Sequence, residues 1–184
     1  MPEPKRTDDE ELPDLVLPIE DRDHHRGPLG ARYALVEYGD YESPHCAHIH
    51  AAVAELVREL GDDFCFAFRN FPVPAEHPNA VRAAEAAEAA DAQGKFWLMH
   101  DRLFQHQDEL SEAVIERLAR ELPLEMDTFR RDLASGAPAR RIDEDRESGE
   151  EAGVEETPTL FVNGRLHAGS YVFLDLLAAL RNER

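Results

Sequence analysis

Two short apolar runs, at residues 33–38 and 64–68, bracket a single amphipathic segment, and that arrangement leaves few folds open. Each run is long enough for a buried strand and too short for a helix. Between them, Pro44 suits the first position of a helix, where the missing N–H would have had no partner anyway. Ile49, Val53, Leu56, Val57 and Leu60 then fall on one helical face, and Gly61 supplies the stop. A strand, a helix and a second strand make a βαβ unit, with parallel pairing and a right-handed crossover.

The remainder of the chain has to complete that sheet. Residues 159–162 read as a strand, Asn163-Gly164 as a hairpin turn, 166–168 as the return strand and 171–180 as a closing amphipathic helix. Between the two halves, residues 78–152 read as a helical insert of about four helices. Its alanine-rich start at 80–92 has high helix propensity, and Phe96 and Trp97 read as insert core. Leu15, Val16 and Leu17 predict a short edge strand, and residues 21–30 a loop with His24 and His25 on its surface. Residues 1–14, charged and proline-containing, read as a flexible acidic tail preceding one domain over 15–184. The order βαβ, insert, ββα predicts an α/β fold with a mixed sheet.

Composition narrows the partners. The formal net charge of -19 over 184 residues repels nucleic-acid phosphates and anionic lipid, so neither is an expected partner. No run approaches the roughly 18 apolar residues that span a bilayer, and no signal-peptide pattern opens the chain, so the expected location is cytoplasmic. Two cysteines cannot form a disulfide scaffold.

Five stretches in order carry a family resemblance: residues 36–46 (VEYGDYESPHC), 68–72 with 77–80 (FRNFP and HPNA), 93–97 (QGKFW), 153–159 (GVEETPT) and 161–164 (FVNG). Together they resemble the DsbA-like thioredoxin-fold family of thiol–disulfide oxidoreductases. The first is similar to the family's active-site segment, in which Cys-Pro-x-Cys opens the first helix. Here Ser43 stands in the place of the nucleophilic cysteine, and Glu156 stands where a glycine is common before Thr-Pro.

The resemblance implies roles for the catalytic candidates Ser43, Cys46, His45 and Glu37 and for the substrate-binding candidates Pro44, Thr157 and Pro158. A serine hydroxyl cannot form a redox bond to sulfur, which argues against the usual two-cysteine exchange. Two readings of Ser43 stay open: a helix cap, or a hydroxyl donor to the thiolate of a bound ligand such as glutathione. Cys46 keeps the resolving position, either as a buried small hydrophobe or as the sole redox thiol. His45 occupies the variable position that tunes the first thiolate in the family. Glu37 sits at the offset of a buried acid able to move a proton. The Thr157-Pro158 bond is expected to be cis, with the backbone before it pairing to peptide or glutathione.

Cys65 is expected in the core, because a helix of about 16 residues separates the sites by roughly 24 Å, beyond disulfide reach. His45, Cys46, His48 and His50 lack paired ligand spacing elsewhere in the chain, so no metal is expected. The expected function is a DsbA-like protein with a degenerate site that binds a small thiol or an extended peptide, with no cofactor and glutathione as a co-substrate. Its chemistry would be oxidoreductase-like, or that of a glutathione-dependent transferase or isomerase. The alternatives are a non-enzymatic peptide-binding module and one-cysteine redox chemistry through Cys46.

Overall fold

The computed structural model describes residues 17–182. A five-stranded mixed sheet runs in the order β1-β3-β2-β4-β5, formed by β1 (His24–Arg26), β2 (Tyr33–Gly39), β3 (Phe64–Asn70), β4 (Thr159–Val162) and β5 (Arg165–Leu166). β2 and β3 are parallel, joined by α1 (Pro44–Leu60), while β4 runs antiparallel to β2 on its other side. The insert holds α2 (Ala80–Asp91), α3 (Phe96–Gln105), α4 (Glu112–Glu121), α5 (Met126–Leu133) and α6 (Ala137–Glu151), and α7 (Phe173–Asn182) closes the fold.

Alternation along β2 divides the core. Tyr33 and Leu35 join Phe64, Phe66 and Phe68 of β3 beneath α1, α7 and the insert. Val36 and Tyr38 face the opposite way, with Ala67, Phe161, Val154 and Ile19. At the hairpin, Asn163 (φ 48°) and Gly164 (φ 86°) both take left-handed backbone, the conformation a tight two-residue turn between twisted strands demands.

Three local expectations change. Residues 21–30 contain β1, a three-residue edge strand antiparallel to β3. His24 is buried there, its ring stacked on Phe96 at 3.5 Å between centroids and its Nε2 bonded to Glu88 at 2.9 Å. The insert contains five α-helices, the added one being the polar α6. Leu17 lies in a bend rather than a strand; Leu15, Val16 and the tail 1–14 fall outside the described residues.

Leu17 is held there by Arg69, which is 1% exposed. Its guanidinium donates to both oxygens of Asp23 (2.9 and 3.0 Å), to the Tyr38 hydroxyl (2.9 Å) and to the carbonyls of Leu17 and Pro18 (3.0 Å each). Burial by itself would raise the Asp23 carboxyl; the hydrogen bond and charge of Arg69 outweigh it and hold the group below its usual range. Every donor is satisfied, the condition under which a buried ion pair is tolerated. Arg69→Ala strands the Asp23 carboxylate, so unfolding in urea should show a loss of about 3–5 kcal/mol; a loss below about 1 kcal/mol would mean the pair is not structural.

Candidate functional site

The sheet register assembles the site. Gly39 ends β2 opposite Asn70, and Tyr38 pairs with Thr159 across β2 and β4, so Pro158 lies beside the residues that lead from β2 into α1. The Thr157–Pro158 peptide bond is cis. Gly39 has no room for a side chain: a Cβ there would lie 2.4 Å from the Phe68 ring and 3.0 Å from Glu37 Oε1.

Ser43 caps α1. Its Oγ accepts the Cys46 N–H at 3.4 Å, and its N–H bonds to the Asp40 carbonyl at 3.1 Å. Pro44 and His45 are exposed on the first turn. Ser43 is only 2% exposed, and Gln107 fixes the loop by donating to the Tyr41 and Ser43 carbonyls, both at 2.8 Å. Asp40, also buried, accepts from the N–H groups of Glu42 and Val73 at 2.8 Å each and bonds His77 Nδ1 at 2.9 Å. The loop between β2 and α1 is thereby tied to the exit of β3.

Cys46 is buried, and the Asp40 N–H donates to its Sγ at 3.4 Å. Burial, reinforced by the Glu37 carboxylate, pushes its thiol well above the ordinary value, against the pull of the Asp40 N–H and the Ser43 hydroxyl. Cys46 is therefore a protonated thiol at neutral pH. Glu37 is fully buried on the central strand, and neither of its oxygens has a hydrogen-bond partner among the described residues. Burial drives its carboxyl up to about 8, with the Cys46 thiol pulling the other way. Cys65 is buried in β3, and both cysteines are free thiols.

His50 does not join Cys46. Its Nε2 bonds Asp101 at 2.9 Å, and Arg26 grips the same carboxylate at 2.7 and 2.8 Å. His50, His100 and Asp101 come together, as do His24, Glu88 and Asp91. In each group one carboxylate, Asp101 or Glu88, already bonds histidine, with Arg26 or Asn70 adding a further donor.

Two clefts flank the site and share Tyr171, whose hydroxyl donates to the Pro158 carbonyl at 3.4 Å. One, about 670 Å³, runs along α1 between His45, His48 and the largely exposed Val172 and Leu174. The other, also about 670 Å³, lies along Pro158 and Thr159. Tyr171, Gln107, Asp40 and His77 are site residues that sequence reasoning missed. Tyr171 read only as the start of a helix, and Asp40 carried the one usable signal, an Asp before a helix-opening serine and proline.

A family model described as thioredoxin matches residues 20–182. A thioredoxin-like oxidoreductase from Silicibacter pomeroyi is similar in structure, with a TM-score of 0.75 and 26% identity, covering 88% of this chain and 92% of that one. So is α-DsbA2 of Wolbachia pipientis, a thiol–disulfide exchange protein (TM-score 0.77, 20% identity, 88% and 87% covered). Oxidised BdbD of Bacillus subtilis also matches (TM-score 0.74, 19% identity, 94% and 97% covered). Among curated proteins, the Na(+)/H(+) antiporter NhaA 1 of Salinispora arenicola is 46% identical over 168 residues, 91% of this chain and 26% of the antiporter. That of Mycolicibacterium vanbaalenii is 41% identical over 173 residues, 92% and 28%. The chain spans about a quarter of the length of these curated relatives. No helix among the described residues is long and apolar enough to cross a membrane.

The unpartnered Glu37 sets a pH dependence. Its carboxyl ionises near 4.5 when unfolded and near 8 when folded, so the native state holds the proton longer and stability falls as pH rises across that window. The fall is on the order of a few kcal/mol. Urea unfolding of the wild type and of Glu37→Gln between about pH 5 and about pH 8 should show this slope in the wild type and a flatter one in the variant; parallel slopes would place the carboxyl's pKa elsewhere.

Proposed function

The chain belongs to the thioredoxin family, and from that premise we propose that it is a DsbA-like protein with a degenerate Ser-Pro-His-Cys site. The site binds a ligand thiol, either of a small molecule such as glutathione or of a cysteine in an extended peptide, and does not run two-cysteine exchange. One observation carries the reading: an oxygen caps α1 where the resemblance expects a sulfur.

A thiolate brought to this helix end would meet the positive end of the macrodipole, where Pro44 carries no N–H and the Cys46 N–H is taken by Ser43 Oγ. The Ser43 hydroxyl adds one donor. Pro44 and His45 form the exposed rim, and the backbone at Thr157 and Pro158 is the edge along which a peptide would lie. Cys46, protonated and buried, is suited to packing rather than attack, which sets one-cysteine redox chemistry below thiol binding.

A second reading rests on the antiporter relatives. Proteins named as antiporters carry a matching segment as about a quarter of their length, which favours a non-enzymatic binding module working beside a membrane transporter.

Calorimetric titration with reduced glutathione and with a cysteine-containing peptide should give binding that S-methylation of the ligand weakens. Ser43→Ala should weaken it by about tenfold, the worth of one hydrogen bond to a charged group. No heat with either ligand would end the proposal. Ser43→Cys should gain insulin-reducing activity that the wild type lacks; activity in the wild type would show that exchange survives without the first cysteine.

A further inference from the structure

The end of α2 is built against the usual preference of a helix. Its last turn carries Glu88 and Asp91 and no basic residue, at the terminus where the macrodipole is negative and a cation is favoured. Both acids line a cavity of about 290 Å³ whose opposite wall is the turn from α5 into α6. Asp132 lines it as well, and the one arginine in the wall, Arg141, is already bonded to Asp145. None of these residues lines the two clefts beside Ser43.

His24 gives this charge a direction. Its ring is 8% exposed and stacked on Phe96, and its Nε2 meets both oxygens of Glu88 at 2.9 and 3.0 Å. Glu88 also accepts from Asn70 Nδ2 at 2.7 Å, so the carboxylate is fixed and the ring donates its Nε2–H to it. The lone pair is then on Nδ1, which has no hydrogen-bond partner among the described residues. Nδ1 faces another acceptor, Asp91 Oδ1, across 3.6 Å, a gap too wide for a hydrogen bond. Two ligands each about 2.0–2.1 Å from a shared zinc ion at a near-tetrahedral angle lie about 3.4 Å apart, close to that gap. A ring whose far N–H is held by a carboxylate is also the arrangement that metal-binding histidines take.

We infer that His24 Nδ1 and Asp91 hold a divalent transition ion of the zinc class, with Asp132 as a further carboxylate in the same cavity and water completing the shell. Glu88 acts from outside that shell and orients the ring. Imidazole among the ligands selects zinc or nickel over magnesium and calcium. Bound there, the ion ties the edge strand β1 to the end of α2 and offsets the negative charge of its last turn. The site stands apart from the thiol-binding reading and does not depend on it.

The test is calorimetric titration of the whole chain, stripped with a chelator and dialysed, with zinc chloride at neutral pH. A single ion per chain should bind, and a large excess of magnesium should not displace it. Asp91 is half exposed, so Asp91→Asn leaves the packing in place; it should weaken binding by more than about tenfold, and Glu88→Gln by about tenfold. His48→Ala removes an imidazole from the groove along α1 and should leave binding unchanged. In imidazole nitrogen NMR spectra of the wild type, zinc should shift His24 Nδ1 while Nε2 keeps its proton.

Absence of saturable zinc binding would overturn the inference. Binding that magnesium displaces would also overturn it, since an acidic surface then collects any divalent ion. So would binding that Asp91→Asn leaves intact or that His48→Ala removes. A His24 Nδ1 resonance that zinc does not move would place the ion elsewhere and sink the site, whatever the variants do.

Discussion

Strand β2 is paired on both sides, parallel to β3 and antiparallel to β4, and each feature of the site inherits its position from those two ladders. The β3 ladder runs to Gly39 opposite Asn70, which fixes where the chain leaves the sheet and enters α1. The β4 ladder sets Thr159 opposite Tyr38, which brings Pro158 to that same exit. A one-residue slip in either would turn Glu37 away from the α1 side and separate the serine cap from the proline. Gly39 lets the ladder reach its end, because the Phe68 ring occupies the space where its Cβ would be.

Beyond the sheet, a second set of bonds stiffens the loop. Asp40 uses both oxygens to hold the Glu42 N–H, the Val73 N–H and His77, and Glu42 in turn accepts from Asn79 at 2.5 and 2.9 Å. The residues before α1 are thus bound to those before α2, and Gln107 anchors the same loop from beyond α3. The helical insert therefore does more than cover the core: it supplies the donors that set the backbone around Ser43. A loop held this way is already ordered, the condition that lowers the ordering cost of any binding there.

Much of this was legible in the residues. The βαβ unit follows from two apolar runs and an amphipathic segment with a proline start and a glycine stop; α1 spans the expected residues, and the Asn-Gly turn falls in the expected hairpin. What escaped has a common physical cause. β1 is three residues long, His-His-Arg, and its burial comes from partners distant in the chain, Glu88 and Phe96. α6 is polar along most of its length, so it lacked the apolar stripe that marks its neighbours. Arg69 lies in the FRNFP stretch with no local signal of burial, yet its enclosure by Asp23, Tyr38 and two carbonyls makes it one of the largest buried side chains. Polar residues satisfied by long-range partners leave no local periodicity to read.

Ser43 meets the backbone demand at the head of α1 as a cap, and it does so without charge. A thiolate there would draw on the helix dipole and would face Glu37 and Cys46 across the buried interior; a hydroxyl brings no charge of its own. With Glu37 raised to about 8 and Cys46 raised as well, both buried groups stay neutral near pH 7. The positive end of α1 then has the Ser43 hydroxyl as its cap and receives no charge from Glu37 or Cys46.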